Sequence, residues 1–409
     1  MTKKNLLVGQ SGGPTAAINA TLAGVLSQAQ ISDQISTVYG AFNGIEGVMQ
    51  ETFINLTESI QNTQSLDLLC QTPSAALGSC RYKLKDYTIC EEEYEKIIAV
   101  FRKYNIGYFV YIGGNDSMDT VMKLNQYLNS HDIHDIFIMG APKTIDNDLM
   151  GTDHCPGFGS AAKYIATTFA ELVCDTNAYM QKSVTIVEVM GRNAGWLTAS
   201  SALARLCGGK GPDFIYLCER PFSCEQFLDD IRKKLEHQAS ILVAVSEGIH
   251  NSNGVYISEQ SQSGQVDNFG HKYIAGAARC LEELVRNEIG CKVRSIELNL
   301  MQRAAGHIAS DTDLKESRLL GSKAVLAMLE GRSGEMSALR RLPGKNYEIE
   351  TCSIPIEQIA NQEKKVPLSW INEAGNDVTS ELMDYLTPLI QGEVNIRWQN
   401  GIPMHLHLR

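Results

Sequence analysis

The stretch Tyr108-Phe109-Val110-Tyr111-Ile112-Gly113-Gly114-Asn115-Asp116-Ser117 decides the fold class. Its first half is an unbroken apolar run without polar alternation, the pattern of a strand buried on both faces of a parallel sheet. Two glycines end the run, and Asn115 and Asp116 belong to the residue types favoured at helix starts. A strand that breaks into a Gly-Gly turn and then a helix is the opening of a β-α-β unit. The same order occurs at Leu6–Gly9, where the turn reads Gly9-Gln10-Ser11-Gly12-Gly13-Pro14-Thr15. Working outward, further strands are expected at Thr37–Phe42, Ile136–Met139, Val184–Val189, Asp213–Leu217 and Ile241–Val245. Helical periodicity lies between them. Ile18, Leu22, Val25 and Leu26 mark a helix over Pro14–Gln30, and Tyr94, Ile97, Ile98, Phe101 and Tyr104 mark one over Glu91–Asn105. This alternation predicts an α/β fold with mainly parallel sheets. After Gly331 the pattern loosens around Pro343, Pro355 and Pro367, with one more helix expected near Val378–Gln391.

Ligands of such sheets sit beyond the carboxyl ends of the strands, so the residues after each strand are the candidates for chemistry. In the Gly12-Gly13 turn, backbone N–H groups can approach an anion, and Pro14 is suited to the first turn of a phosphate-binding helix. After Ile136–Met139 comes Pro142-Lys143-Thr144-Ile145-Asp146-Asn147-Asp148. Two carboxylates so close together, in a loop with a lysine, point to proton transfer or cation binding. Glu188-Val189-Met190-Gly191-Arg192-Asn193-Ala194-Gly195 ends another strand, where backbone and guanidinium can meet a phosphate or a sugar.

Composition narrows the class of partner. A net charge of −11 argues against a nucleic-acid or membrane-surface protein, both of which need a basic face. The 11 cysteines include no CxxC pair and fit neither a zinc nor a disulfide framework, which implies reduced thiols in a cytosolic, cytoplasmic protein. Cys70, Cys80 and Cys90 lie ten apart without the tight pairing a zinc site needs, and the nine histidines form no HExxH. No signal-peptide h-region or membrane-spanning run is evident in the sequence.

Taken together, the segments resemble the phosphofructokinase family from about Asn5 to Gly321. The resemblance is carried by Ser11-Gly12-Gly13, Gly78-Ser79-Cys80-Arg81, Gly113-Gly114-Asn115-Asp116-Ser117, the Pro142–Asp148 loop, Glu188-Val189-Met190-Gly191-Arg192, Ser246-Glu247-Gly248, and Gln302-Arg303 followed by His307. It implies two Rossmann-like domains, with residues 1–147 as donor domain, 148–310 as sugar-phosphate domain, and 311–409 as returning helices and an extension. It implies that Asp146 takes the proton from the 1-hydroxyl of fructose 6-phosphate and that Asp148 lies beside the metal and the group in transit. Gly12 then contacts the donor phosphate, and Arg81 neutralises charge during transfer. Thr144, Met190, Gly191, Arg192 and Glu247 contact the sugar phosphate, and Arg303 and His307 grip its 6-phosphate. The implied cofactor is Mg2+, held at Asn115 and Asp148, and the implied assembly is a homodimer or homotetramer.

Two positions bear on the donor. The family's ATP users have glycine where Asp116 and Lys143 stand, and its pyrophosphate users have Asp and Lys. A carboxylate at Asp116 would crowd and repel the α-phosphate and nucleoside of ATP, while Lys143 holds the phosphate that leaves pyrophosphate. The expectation is therefore reversible transfer from pyrophosphate. An ATP-dependent 6-phosphofructokinase and a non-catalytic sugar-phosphate-binding subunit are the rival readings, and sedoheptulose 7-phosphate presents a similar end to the site as a second acceptor. Asn115 departs from the acidic residue common at this position in the family.

Overall fold

A computed structural model of the chain describes residues 3–261 and 276–408. Its two main sheets are built from β1 (Lys4–Gln10), β2 (Ile35–Ala41), β3 (Phe53–Asn55), β4 (Ile106–Gly113), β5 (Phe137–Pro142), β6 (Ser183–Val189), β7 (Phe214–Tyr216), β8 (Ser240–Ser246), β9 (Lys292–Glu297), β10 (Glu335–Arg341) and β11 (Ile349–Pro355). The larger sheet has the order β11-β10-β5-β4-β1-β2-β3 and the smaller β7-β8-β6-β9. Only the outer pairs β10–β11 and β2–β3 are antiparallel. The mainly parallel α/β architecture expected from the alternation of runs is therefore present, and every strand expected from the sequence is found, with ends moved by up to three residues.

All of β4 is buried, which explains its unbroken apolar run. The neighbouring strand β1 divides its side chains between two cores. Leu6 and Val8 face helices Ile18–Gln30 and Asp311–Leu329, while Leu7 faces the side that holds helices Glu91–Lys103 and Asn115–Ser130. The first two helices approach closely, because a Cβ on Gly24 would stand 2.0 Å from the Arg318 carbonyl and one on Gly321 2.1 Å from the Thr21 carbonyl. Helix Glu91–Lys103 carries Glu91, Glu92 and Glu93 in its first turn and Arg102 and Lys103 in its last, complementing its dipole at both ends.

The segment after Gly331 differs from expectation. It supplies β10, paired with β5, and β11, and so completes the first sheet. The pattern was obscured because Met336, Ser337, Ala338 and Leu339 are all buried yet mix polar and small residues. The expected late helix is present as Ser380–Leu386 followed by a 3-10 turn, Thr387–Ile390. Among the described residues no helix is long and apolar enough to cross a membrane.

Candidate active site

In the first sheet the strand order reverses between β4 and β1, the place where doubly wound sheets bind ligands. Both Gly-Gly turns leave the sheet here. The Gly12-Gly13 turn is held by the Gly12 amide donating to the Cys80 carbonyl at 3.3 Å and by Ser79 Oγ donating to the Gly12 carbonyl at 2.5 Å. These bonds tie the segment that carries Arg81 to the turn. The following helix starts at Ile18 rather than Pro14, and Thr15 Oγ1 accepts from the amides of Ala17 and Ile18 at 3.2 and 2.9 Å. The expectation that Pro14 opens an anion-binding helix is therefore corrected, because a threonine hydroxyl already occupies amides at that helix's start. The second turn does run straight into its helix, Asn115–Ser130, with Gly114 as N-cap and Asp116 in the first turn.

Lys143 lies under the first turn. It is buried, its Nζ donates to the Gly13 carbonyl at 2.6 Å, and a Cβ on Gly12 would stand 3.2 Å from that nitrogen. Burial lowers its pKa to about 8, against the opposing pull of the Asp146 carboxylate. Arg303 reaches the same turn from the other sheet, with Nη1 3.3 Å from where a Gly13 Cβ would be. Burial and then the Arg81 charge lower its pKa. Lys143, Arg303 and Arg81 thus form one cationic group around the turn in an acidic protein.

The loop after β5 carries both carboxylates. Asn147 sits between them in left-handed conformation, φ 54°, fully buried. Its Oδ1 accepts from the Cys155 amide at 3.0 Å and its Nδ2 donates to Tyr385 Oη at 3.0 Å. Thr144 Oγ1 accepts from the Asp146 amide at 3.1 Å. Burial raises the pKa of Asp146, and the neighbouring Asp148 charge raises it further, against Lys143, Arg192 and Arg303. Asp148 is raised by burial as well.

The second sheet brings its own carboxyl ends to the same place. The Met190 amide donates to Gln302 Oε1 at 3.2 Å, and the Gly191 amide donates to Glu247 Oε1 at 3.2 Å. Burial and then Asp146 push Glu247 up to about 8. Arg192 Nε is buried and finds no hydrogen-bond partner among the described residues. His307 stands exposed on a single 3-10 turn, Gly306–Ile308, outside these contacts.

Asn115 donates Nδ2 to the Gln362 carbonyl at 2.9 Å, while its Oδ1 is buried with no hydrogen-bond partner among the described residues. Asp116 lies 3.8 Å from Lys83 Nζ. Residues 362–364, absent from the sequence reading, cross the site. Glu363 Oε1 accepts from Asn193 Nδ2 at 2.7 Å, and the Lys364 amide donates to the Asp148 carbonyl at 2.7 Å. In sequence Glu363-Lys364-Lys365 looks like an ordinary solvated charge run in a region without periodicity, so no local signal distinguished it.

The phosphofructokinase family model matches residues 5–328. Two similar proteins, from Xanthomonas campestris and Methylococcus capsulatus, are each named "pyrophosphate--fructose 6-phosphate 1-phosphotransferase". The first is 38% identical, covering 100% of this chain and 97% of its own length; the second is 39% identical, covering 100% and 96%. A crystal structure of a pyrophosphate-dependent phosphofructokinase from Nitrosospira multiformis superposes with a TM-score of 0.88 at 35% identity, covering 98% of this chain and 96% of that one.

Proposed function

This chain belongs to the phosphofructokinase family, and we propose that it acts there as the pyrophosphate-dependent enzyme. It transfers a phosphoryl group from pyrophosphate to the 1-hydroxyl of fructose 6-phosphate, reversibly, giving fructose 1,6-bisphosphate and phosphate. The observation that carries the reading is Lys143, a buried cation directly beneath the Gly12-Gly13 turn. A bare inorganic anion has no nucleoside to hold it, and a charge-assisted bond from below the turn replaces that anchor.

Asp146 is the general base. It accepts the proton of the 1-hydroxyl as the oxygen bonds to phosphorus, the bridging P–O bond breaks, and inorganic phosphate leaves with the electron pair. Its raised pKa supports both directions, since the protonated carboxyl returns the proton in reverse. Arg81, Lys143 and Gly12 stabilise charge on the group in transit, the main task in phosphoryl transfer. Thr144, Met190, Gly191, Arg192 and Glu247 hold the sugar. The buried unpartnered Nε of Arg192 and the neutral-leaning carboxyl of Glu247 support sugar and phosphate contacts. Arg303 and, more remotely, His307 take the 6-phosphate.

A magnesium ion fits the oxygen donors. Asn115 offers a buried Oδ1 without a partner, and Asp148 shares with it the 362–364 segment. Magnesium keeps several waters and leans on substrate phosphates, so few protein ligands suffice. Asn115 and Asp148 would hold it there, where it would neutralise charge on the pyrophosphate. Free thiols throughout the chain support a cytoplasmic setting. Exposed Leu300 and Met301 beside Arg303 support assembly into a homodimer or homotetramer.

Donor assays test the reading. Turnover is expected with pyrophosphate and not with Mg-ATP, and Asp116→Gly is expected to admit ATP above background. Turnover of the native enzyme with ATP alone would overturn the donor assignment.

A further inference from the structure

The catalytic loop is shaped by a part of the chain that lies outside the family match, which ends at residue 328. Lys364 is the centre of that contact. Its Nζ donates to the Asp153 carbonyl at 2.6 Å, to the Thr152 carbonyl at 3.3 Å and to Asn147 Oδ1 at 3.5 Å. Its amide donates to the Asp148 carbonyl at 2.7 Å, and its own carbonyl accepts from Trp196 Nε1 at 3.0 Å. The ammonium also stands 5.3 Å from the centroid of the Trp196 ring. One residue therefore grips both ends of the loop that follows Asp146 and fixes it to the sugar-side helix Trp196–Ser200.

The grip fixes a local choice: Asn147 sits at φ 54°, a left-handed conformation that asparagine enters more readily than other non-glycine residues but does not enforce by itself. Its backbone twist aims the carboxylates on either side of it. Tyr385 supplies the second hold, accepting from Asn147 Nδ2 at 3.0 Å and donating to the Asp153 carbonyl at 2.6 Å. The guanidinium of Arg341 in turn donates to the Tyr385 carbonyl at 3.1 Å.

We propose that Lys364 is a positioning residue for phosphoryl transfer: with Tyr385 it locks the Asn147 turn so that Asp146 and Asp148 are aimed at the reacting atoms. The inference rests on the assignment of Asp146 as the base. Such a residue acts on the transition state more than on substrate binding, so its loss lowers kcat and leaves KM nearly unchanged.

The test compares Lys364→Met, Tyr385→Phe, the control Lys365→Met and Asp146→Asn in the full chain. Fructose 6-phosphate binding is followed by calorimetry without donor, and turnover in both directions. Lys364→Met is expected to bind fructose 6-phosphate within about threefold of the native affinity and to lose tenfold or more in kcat. Tyr385→Phe should lose kcat in the same sense by a smaller factor, and Lys365→Met should match the native enzyme. The proposal is overturned if Lys364→Met keeps native kcat, or if affinity falls in step with kcat in both Lys364→Met and Tyr385→Phe. If Asp146→Asn itself keeps native kcat, the base assignment is wrong; if only Lys364→Met does, the positioning role alone fails.

Discussion

The two Gly-Gly turns leave neighbouring strands, β1 and β4, and look alike in sequence, yet they are built differently. At Gly12-Gly13 the backbone enters the left-handed region, φ 76° at Gly12, and the helix is delayed until Ile18. At Gly113-Gly114 the helix starts at once, and Gly114 has an ordinary φ of −92°. A buried lysine lies beneath the first turn, while the second presents a half-exposed carboxylate, Asp116, near Lys83. The difference teaches that a glycine pair after a strand reports only close backbone approach. What the turn binds is decided by the side chain brought underneath it, and here that side chain comes from a third strand.

Removing the buried cation separates the turns most sharply. Lys143→Met should raise the KM for pyrophosphate and lower kcat/KM about ten- to hundredfold, the worth of a charge-assisted hydrogen bond of about 1.5–3 kcal/mol. The KM for fructose 6-phosphate should change little. Steady-state kinetics with each substrate varied in turn would read both numbers, and an unchanged pyrophosphate KM would remove the basis for treating the turns differently.

The glycines themselves give the next contrast. In Gly12→Ala the left-handed backbone costs about 1–2 kcal/mol, and the new methyl meets a lysine nitrogen pinned at 3.2 Å. Roughly a tenfold loss in kcat/KM for pyrophosphate is expected from a strain of this size. In Gly114→Ala the nearest atom to the new methyl is 3.5 Å away and φ is unstrained, so pyrophosphate kinetics should stay close to native. Equal losses in the two variants would show that the turns share one role.

The smallest effect expected is in the pH profile. As the proposed base, Asp146 would work as a carboxylate, and its pKa is raised, so the acid limb should lie above the ordinary carboxylate range, with activity rising as pH climbs through it. In its proposed role Lys143 would bind pyrophosphate as an ammonium, and its pKa is lowered to about 8, so activity should fall again as pH passes that value. Glu247, pushed up to about 8, ionises over the same range on the sugar side. The decline due to Lys143 should appear in kcat/KM for pyrophosphate and be missing in Lys143→Met, whereas that due to Glu247 should remain in kcat/KM for fructose 6-phosphate. An alkaline decline in pyrophosphate kcat/KM that survives Lys143→Met would assign it elsewhere.

Much of the site was legible because its residues sit in contiguous loops after apolar runs. Asp146 and Asp148 follow β5 and Met190–Arg192 follow β6, so strand ends located them, whereas Glu247, at the end of β8, came through the family resemblance. Arg81, Arg303 and His307 came through the family resemblance alone. The placement of Pro14 at a helix start misled, because periodicity cannot show that Thr15 caps a helix beginning later. Strands β9, β10 and β11 escaped notice because their residues alternate with charges or small polar groups that carry little apolar signal.

The order of apolar runs and turns determined the α/β class, the run of parallel strands, and which loops would meet at their carboxyl ends, since each depends on residues adjacent in the chain. The tertiary structure alone decided that Lys143 lies under the Gly12-Gly13 turn, that Arg303 reaches it from the other sheet, and that Lys364 and Tyr385 hold the turn between the two carboxylates. These contacts join residues more than a hundred positions apart. Their strength comes from shared burial and hydrogen-bond geometry, neither of which leaves a periodic or local trace along the chain.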